Sequence, residues 1–197
     1  MNADREAEMA TVAARIRRCA ECDGMNIAGL TQAAPGYGSL TSPIVLVGQS
    51  LCGPCMASQI PFTGGSGRIL DKAFEEAGVK KSDIFVTNIV HCHPPNNRPS
   101  HPHEIANCRT HLRNELAIVQ PSLILGLGKD ARASLEGDHP NALVHKWPFQ
   151  PPSEKPSAHH PELLFAPHPS WVVRQPRPVR ERYIASLASA LTWVFQR

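Results

Sequence analysis

The chain has 197 residues, of which 42% are hydrophobic and 19% are charged, so one domain over 1–197 with a full core is expected and wholesale disorder is excluded. Its 20 Lys and Arg residues against 17 Asp and Glu residues give a net charge of +3, which permits a nucleic-acid partner without requiring one. The sequence shows neither the roughly 18 consecutive apolar residues of a membrane helix nor an apolar signal core, so we expect a soluble cytoplasmic protein.

The predicted elements alternate between helices and short apolar strands. A helical spacing over 5–18 leads to Cys19, and residues 23–42 are rich in Gly, Ala and Pro, which indicates a loop. Strand candidates follow at 43–48, 84–90, 122–128 and 163–166, and helical patterns at 66–77, 104–119, 129–135 and 178–194. This order predicts an α/β fold, a three-layer α/β/α arrangement with a four-stranded parallel sheet. Residues 137–161 show no pattern that assigns a structure.

Polar residues follow three of the predicted strands. They are the segment 49–55, Asn88 with the segment 91–98, and the segment 168–170. Ligands of such sheets bind outside the carboxyl ends of the strands. We therefore expect these three loops to meet at one binding crevice.

Six cysteines in a chain of this kind are more typical of metal ligands, buried residues or catalytic groups than of a disulfide framework. Cys19 and Cys22 form a C-x2-C pair, which suits two ligands of one metal centre or is incidental. Cys52 and Cys55 form a second such pair. A redox pair and a zinc site shared with the first pair are both open for it, although its place at the crevice favours a packed or substrate-facing role.

Several motifs together resemble the uracil-DNA glycosylase superfamily, specifically its iron-sulfur family 4 and the related X-type members. In order, they are CAEC at 19–22, VG at 47–48, PFTGGSGRIL at 61–70, TNIVHCHPPNNR at 87–98, the cysteine at 108 and HPS at 168–170. The resemblance runs from Cys19 to about Arg182, which is most of the chain.

The resemblance implies a [4Fe-4S] cluster as the cofactor. Its four ligands would be Cys19, Cys22, Cys92 and Cys108, an all-thiolate set. The cluster would have a structural role, fixing the N-terminal helix and the loop after the second strand. Tetrahedral zinc is the competing occupant of the same four thiols.

The resemblance also implies a pocket for an extruded base. Phe62 would stack on the ring, Asn88 would read its edge through an amide that both donates and accepts, and His168 would stabilise negative charge on the leaving base. Gly48 and Ser170 occupy matching positions in the substrate-binding motifs. Taken singly, such residues are ordinarily a core aromatic, a turn asparagine and a loop or capping histidine.

A DNA-binding edge would follow the last motif. Residues 171–173, Trp-Val-Val, stand where the superfamily carries an apolar wedge, and four arginines beyond them could meet phosphates. The arginines are Arg174, Arg177, Arg180 and Arg182. The alternative is a solvated loop and the basic start of the last helix.

The first active-site loop departs from family 4. The family's GE-x-PG is replaced here by Gly48, Gln49 and Ser50 followed by Leu and Cys, and Cys55 aligns with a functionally important glutamate. Gln49 and Ser50 would shape the loop that holds water and base. A serine can orient water, but it gives little electrostatic support to a cationic sugar.

The X-type enzymes trap the sugar covalently with a histidine in an additional basic loop. Asn97 stands at the corresponding position here, as in family 4, and would support the base-binding loop; the additional loop is absent. His101 and His103 lie nearby in the sequence, so covalent trapping of the sugar by one of them is an alternative. Nucleophilic attack by the thiol of Cys55 is another.

The sequence therefore predicts a monomeric DNA glycosylase that hydrolyses the N-glycosidic bond of uracil or a related deaminated or modified base in single- or double-stranded DNA, a step of base excision repair. A catalytically weak or inactive damaged-DNA-binding module of the same fold is the main alternative, since the loop lacks its carboxylate. An iron-sulfur electron carrier is disfavoured because it would have no use for Phe62, Asn88 and His168.

Overall fold

The structure, a computed structural model, describes residues 2–156 and 160–196. Its helices are α1 Asn2–Arg17, α2 Gly53–Ser58, α3 Gly67–Glu76, α4 Pro102–Val119, α5 Lys129–Asp138, α6 Pro169–Val172 and α7 Arg177–Phe195. Its strands are β1 Ile44–Ser50, β2 Phe85–Val90, β3 Leu123–Leu127, β4 Val144–His145 and β5 Glu162–Ala166. Within these described ranges, no helix combines the length and apolarity needed to cross a bilayer.

The strands form one parallel sheet in the order β2-β1-β3-β5-β4. This confirms the predicted α/β class and the parallel sheet, but the prediction of four strands was one too few. The additional strand, β4, lies in the segment 137–161 that had no assignable pattern, of which residues 157–159 lie outside the described part of the chain. β4 has only two residues and pairs with β5 through Val144 and Leu163.

The sheet is covered on both faces, which explains why its central strands are almost wholly apolar. Successive residues of β1 enter opposite layers. Val45 and Val47 belong to the core on the side of α1 and α4, whereas Ile44 and Leu46 belong to the core on the side of α3 and α7. The alternation along β1 thus fixes the three-layer arrangement.

The strand order reverses between β1 and β3. The crossover that leaves β1 passes through α3 on one face of the sheet, whereas the chain that leaves β3 enters α5 on the other face. Loops that diverge in this way leave a gap at the carboxyl ends of the two strands. Gly48 in β1 and Gly128 after β3 lie at this end of the sheet.

Candidate functional site

Gly48 forms a bare patch of backbone on which two predicted site residues meet. The parallel register places Gly48 beside Asn88 on β2. A Cβ atom added to Gly48 would lie 2.4 Å from Phe62 Cζ and 2.5 Å from Asn88 Oδ1. The absence of a side chain at Gly48 therefore allows the aromatic ring and the amide to lie next to each other.

Phe62 is held in a backbone conformation that few aromatic residues adopt. Its φ angle is 57°, in the left-handed region, where a non-glycine residue costs roughly 1–2 kcal/mol. Its carbonyl oxygen accepts a hydrogen bond from Lys81 Nζ at 2.9 Å, and burial lowers the pKa of Lys81. A Cβ atom on Gly67 would lie 1.9 Å from the same oxygen, so Gly67 also permits this geometry.

Asn88 is buried at the end of the sheet, with 3% of its surface exposed. Among the described residues, its side-chain amide has no hydrogen-bond partner. The polar atoms of the amide are not completely shielded from solvent. An amide offers one acceptor oxygen and two N–H donors. Asn88 can therefore present a donor and an acceptor together to a small planar ligand.

His168 lies at the end of β5 and is the N-cap residue of α6. Its Nδ1 atom accepts a hydrogen bond from the Ser170 backbone N–H at 3.2 Å and lies 2.8 Å from Ser170 Oγ. Burial lowers the pKa of His168, so the ring is neutral at pH 7. Because Nδ1 accepts, the ring hydrogen resides on Nε2, which can donate. His168 also packs on Gly128, whose added Cβ would lie 3.1 Å from His168 Cβ.

The loop after β1 carries no carboxylate between residues 48 and 63. Gln49 and Ser50 are half-buried at the end of β1. Cys55 is 1% exposed, and its sulfur accepts a hydrogen bond from the Thr63 N–H at 3.3 Å.

Cys52 and Cys55 are joined in a disulfide, which is compatible with the redox pair left open above but not with a zinc site shared with Cys19 and Cys22. The physical reason is the first turn of α2, which begins directly after Cys52 and brings the two Cα atoms to 5.0 Å. That separation lies within the range that a disulfide spans. While it is formed, the attack by a Cys55 thiol considered above is not available.

Asn97 is exposed in a short 3₁₀ turn, Pro95–Asn97, with a φ angle of 54°. It makes no hydrogen bond with any of the described residues around Gly48. His101 and His103 stack on each other, with ring centroids 5.6 Å apart, at the start of α4.

The predicted wedge residues divide between core and surface. Trp171 and Val173 are 45% and 39% exposed, whereas Val172 is completely buried. Val172 therefore belongs to the core, and the prediction that it forms part of a wedge was wrong. Arg177 pairs with Glu181 at 2.6 Å, and the other three arginines of this edge are exposed.

Four cysteines lie together on the side of the sheet that carries α1 and α4. Cys19, Cys22, Cys92 and Cys108 all have free thiols. Burial, together with the charges of the other three cysteines, raises the pKa of Cys92 to about 12. Burial also raises the pKa of Cys22, with contributions from Cys108 and Cys19. The four sulfurs are thus close enough to interact electrostatically.

This donor set fits an iron-sulfur cluster chemically, because four thiolates are the usual ligands of a [4Fe-4S] centre. Mutual repulsion among thiolates is relieved when they bind a cationic centre. Over the described ranges, no three His, Cys, Asp or Glu side chains have the arrangement of a single-ion site.

Asn26, which the sequence analysis missed, fixes the first cysteine pair. Its amide nitrogen donates to the carbonyl oxygens of Cys19 at 2.8 Å and Arg17 at 3.1 Å, and its Oδ1 accepts from the Ala33 N–H at 2.8 Å. Ala33 in turn forms an antiparallel bridge with Cys92. A single asparagine thereby connects the segments that carry three of the cysteines.

A buried ion pair beside Cys108 was also missed. Glu115 on α4 accepts hydrogen bonds from Thr87 Oγ1 at 2.5 Å and the Gly36 N–H at 2.7 Å, and lies 3.1 Å from His91 Nε2. Burial opposes the charge on both groups, but their attraction prevails, lowering the pKa of Glu115 and raising that of His91 to about 10. The available signal was a carboxylate on the apolar face of a helix, between Leu112 and Leu116.

The sequence is similar to a known protein family and to several of its characterised members. Residues 35–192 match the family model of the uracil DNA glycosylase superfamily. The chain is 33% identical over 127 residues to a type-4 uracil-DNA glycosylase of Thermotoga maritima, which covers 64% of this chain and 65% of the relative. It is 34% identical over 105 residues to a type-4 enzyme of Pyrobaculum aerophilum, covering 53% and 54%. A type-5 uracil-DNA glycosylase of that organism is 40% identical over 52 residues, covering 26% and 23%. The matched region spans less than two thirds of each relative.

Proposed function

We propose, because the chain belongs to the uracil-DNA glycosylase superfamily, that it hydrolyses the N-glycosidic bond of uracil or a related base in DNA. The observation that carries this proposal is the meeting of Phe62 and Asn88 above the bare backbone of Gly48. A glycosylase must take its target base out of the stack and hold it between an aromatic surface and hydrogen-bonding groups. Phe62 supplies the surface and Asn88 the hydrogen-bonding edge.

His168 would act on the base as the bond breaks. Cleavage leaves negative charge on the departing base, and a neutral donor fixed in place stabilises that charge without having to reorganise. The Nε2–H of His168 is such a donor, because Ser170 holds Nδ1 as the acceptor. Uracil O2 is the oxygen that we assign to it.

Water would complete the reaction by adding to the sugar carbon as the base leaves, with its proton released to solvent. We assign its placement to Gln49 and Ser50 at the end of β1. Because residues 48–63 contain no carboxylate, the developing sugar cation lacks a nearby negative charge from this loop. A slow reaction, or a preference for bases that leave easily, follows from that chemistry.

DNA would approach the face that carries α6 and the start of α7. Trp171 and Val173 are exposed beside His168 in the chain and suit insertion into a base stack. Arg174, Arg180 and Arg182 are exposed beyond them and can meet phosphates. We propose that the chain binds as a monomer, which light scattering of the purified protein tests.

The four thiols Cys19, Cys22, Cys92 and Cys108 would hold a [4Fe-4S] cluster with a structural role. When bound, the cluster ties α1, the loop after β2 and α4 together by covalent bonds to iron. Iron and sulfide analysis with a visible absorption spectrum tests this assignment. A colourless protein containing zinc would contradict it.

The decisive experiment uses labelled oligonucleotides, single- and double-stranded, that carry uracil, hypoxanthine or xanthine at one position. The holoprotein is incubated with each, and abasic sites are cleaved with alkali. We expect cleavage at uracil or a related base, abolished in His168→Ala and absent from undamaged DNA. Adducts that resist denaturation would instead indicate covalent trapping, with His101 and His103 as the groups to replace.

The missing carboxylate favours a second candidate, a module that binds damaged DNA without cleaving it. This module would use the same pocket of Gly48, Phe62 and Asn88. Binding of uracil-containing DNA with no cleavage of any substrate would support it over the enzyme. Asn88→Ala should then weaken binding, while His168→Ala would have no turnover to remove.

A further inference from the structure

The disulfide of Cys52 and Cys55 lies between the proposed water loop and the base-stacking residue, and the proposed reaction does not use it. The two sulfurs differ in access. Cys52 is half-buried at the surface of the loop, whereas Cys55 is 1% exposed. Two residues, Gly53 and Pro54, separate them at the start of α2, directly after a strand of a parallel sheet. A C-x2-C pair in that setting is typical of thiol–disulfide exchange.

We propose that Cys52 and Cys55 form a thiol–disulfide exchange site for external dithiols, and that its oxidation state controls the position of Phe62. The exchange site is argued from the disulfide itself. The effect of its oxidation state on base excision rests on the proposed function.

The exchange follows from the different exposure of the two sulfurs. A thiolate of the external dithiol attacks Cys52, the accessible sulfur, and forms a mixed disulfide as the bond between the cysteines breaks. The electron pair goes to the sulfur of Cys55, which then takes up a proton. The second thiol of the dithiol attacks the mixed disulfide and releases Cys52 as a thiol. Two electrons have passed from the dithiol, now oxidised, to the protein.

The departing sulfur is already placed in a suitable environment. Cys55 Sγ accepts the Thr63 N–H at 3.3 Å, and a hydrogen bond to sulfur stabilises the thiolate as it forms. Cys55 also packs with Ala34 and Leu51 in a small separate core, so its position is determined in the oxidised protein.

Thr63 couples the sulfur to the base site, because it follows Phe62 directly. The Thr63 side chain donates to the Ile60 carbonyl at 2.8 Å and accepts from Ser58 Oγ at 3.1 Å. The oxidised pair thus closes a short loop whose last residues orient the Phe62 ring above Gly48. Reduction removes the covalent constraint on Cys55, its hydrogen bond to Thr63 is altered, and the ring loses part of its support.

The test is a redox titration of the holoprotein under anaerobic conditions, with buffers of reduced and oxidised dithiothreitol in varied ratio. Free thiols are trapped by alkylation, and the peptide that carries Cys52 and Cys55 is weighed after cleavage between Cys22 and Cys52. We expect the two thiols to appear and disappear together and reversibly. The visible spectrum and iron content, followed in parallel, control for damage at the other four cysteines.

Hydrogen exchange of residues 60–66 measures the coupling without any need for catalysis. We expect exchange in this segment to be about threefold faster after reduction, as the local opening free energy falls. Uracil excision by the reduced protein should be about tenfold slower, because displacement of a positioned group slows the step it serves. The double variant Cys52→Ser, Cys55→Ser should show the reduced behaviour in every buffer.

A disulfide that resists a large excess of dithiothreitol, or that cannot be re-formed, would overturn the exchange site. Reversible exchange with unchanged hydrogen exchange at 60–66 would overturn the coupling to Phe62. If no base is excised in either state, the proposed function fails, while the titration and the hydrogen exchange still decide this inference.

Discussion

Replacement of Gly48 by alanine is the sharpest test of the base site, because the structure gives the size of the perturbation. The new Cβ would lie 2.4 Å from Phe62 Cζ and 2.5 Å from Asn88 Oδ1, whereas ordinary van der Waals contact begins at 3.4 Å. The ring or the amide must therefore move by about 1 Å. Neither partner can yield freely, since Phe62 is fixed by Lys81 and Gly67, and Asn88 is buried in β2 and paired with Gly48 itself.

The expected loss of activity follows from that displacement. Misplacement of a positioning group by about 1 Å costs on the order of 100-fold in rate, which corresponds to about 2.7 kcal/mol of transition-state stabilisation. Added volume in a packed site also destabilises the fold, typically by about 1–3 kcal/mol. Excision should therefore be measured under single-turnover conditions, at a temperature where thermal unfolding shows that the variant is fully folded.

Gly53→Ala is the matched control in the same loop. A Cβ atom there would have no neighbour closer than His93 Nε2 at 3.9 Å, so it fits without displacement. Excision by Gly53→Ala should remain within about twofold of the parent protein, as for a substitution that introduces no strain. A folded Gly48→Ala variant that excises uracil as fast as Gly53→Ala would refute the assignment of this patch as the floor of the base pocket.

Three further predictions concern the histidine, the buried ion pair and the cluster ligands. Burial lowers the pKa of His168 below its ordinary value of 6.5, so the ring is protonated only as pH falls below 6.5. We therefore expect the excision rate to fall on the acid side of pH 6.5. An acid limb of the pH–rate profile centred above 6.5 would contradict the neutral donor. Glu115→Gln should lower the free energy of unfolding in urea by about 3–5 kcal/mol, since a buried cationic partner loses its counter-ion, whereas Glu136→Gln, in an exposed pair, should change it little. Cys108→Ser should lose iron and visible absorbance while Cys55→Ser retains both, and retention of a full cluster by the former would exclude Cys108 as a ligand.

The central sheet could be predicted because its strands are apolar on both faces and are separated by turn residues. The strand β4 could not, because Val144 is 43% exposed and the two residues of β4 form a strand only through pairing with β5. Helix α2 was missed for a different reason. Its sequence begins with Gly53 and Pro54, which are turn signals in isolation, although proline also suits the first turn of a helix.

The location of polar residues at the ends of strands could be predicted from the sequence, as for Asn88 in β2 and His168 after β5, whereas their roles are part of the proposed function. The packing around them could not be predicted. The lack of a side chain at Gly48 matters only because Phe62 packs against it. The left-handed backbone of Phe62 depends in turn on Lys81 and Gly67, which lie in other segments. Likewise, a C-x2-C spacing is shared by metal ligands and disulfides, and only the turn geometry at Cys52 decides between them.

The hydrogen bond from Gly36 to Glu115 bears on how the chain can be shortened. The family match begins at residue 35, so a trimmed protein would naturally be designed to start there. That cut would leave the Gly36 N–H, which solvates a fully buried carboxylate at 2.7 Å, on a frayed chain end, and would also remove Asn26 and the first cysteine pair. The leading segment is therefore an integral part of the folded unit, and a minimal version of this protein has to keep it.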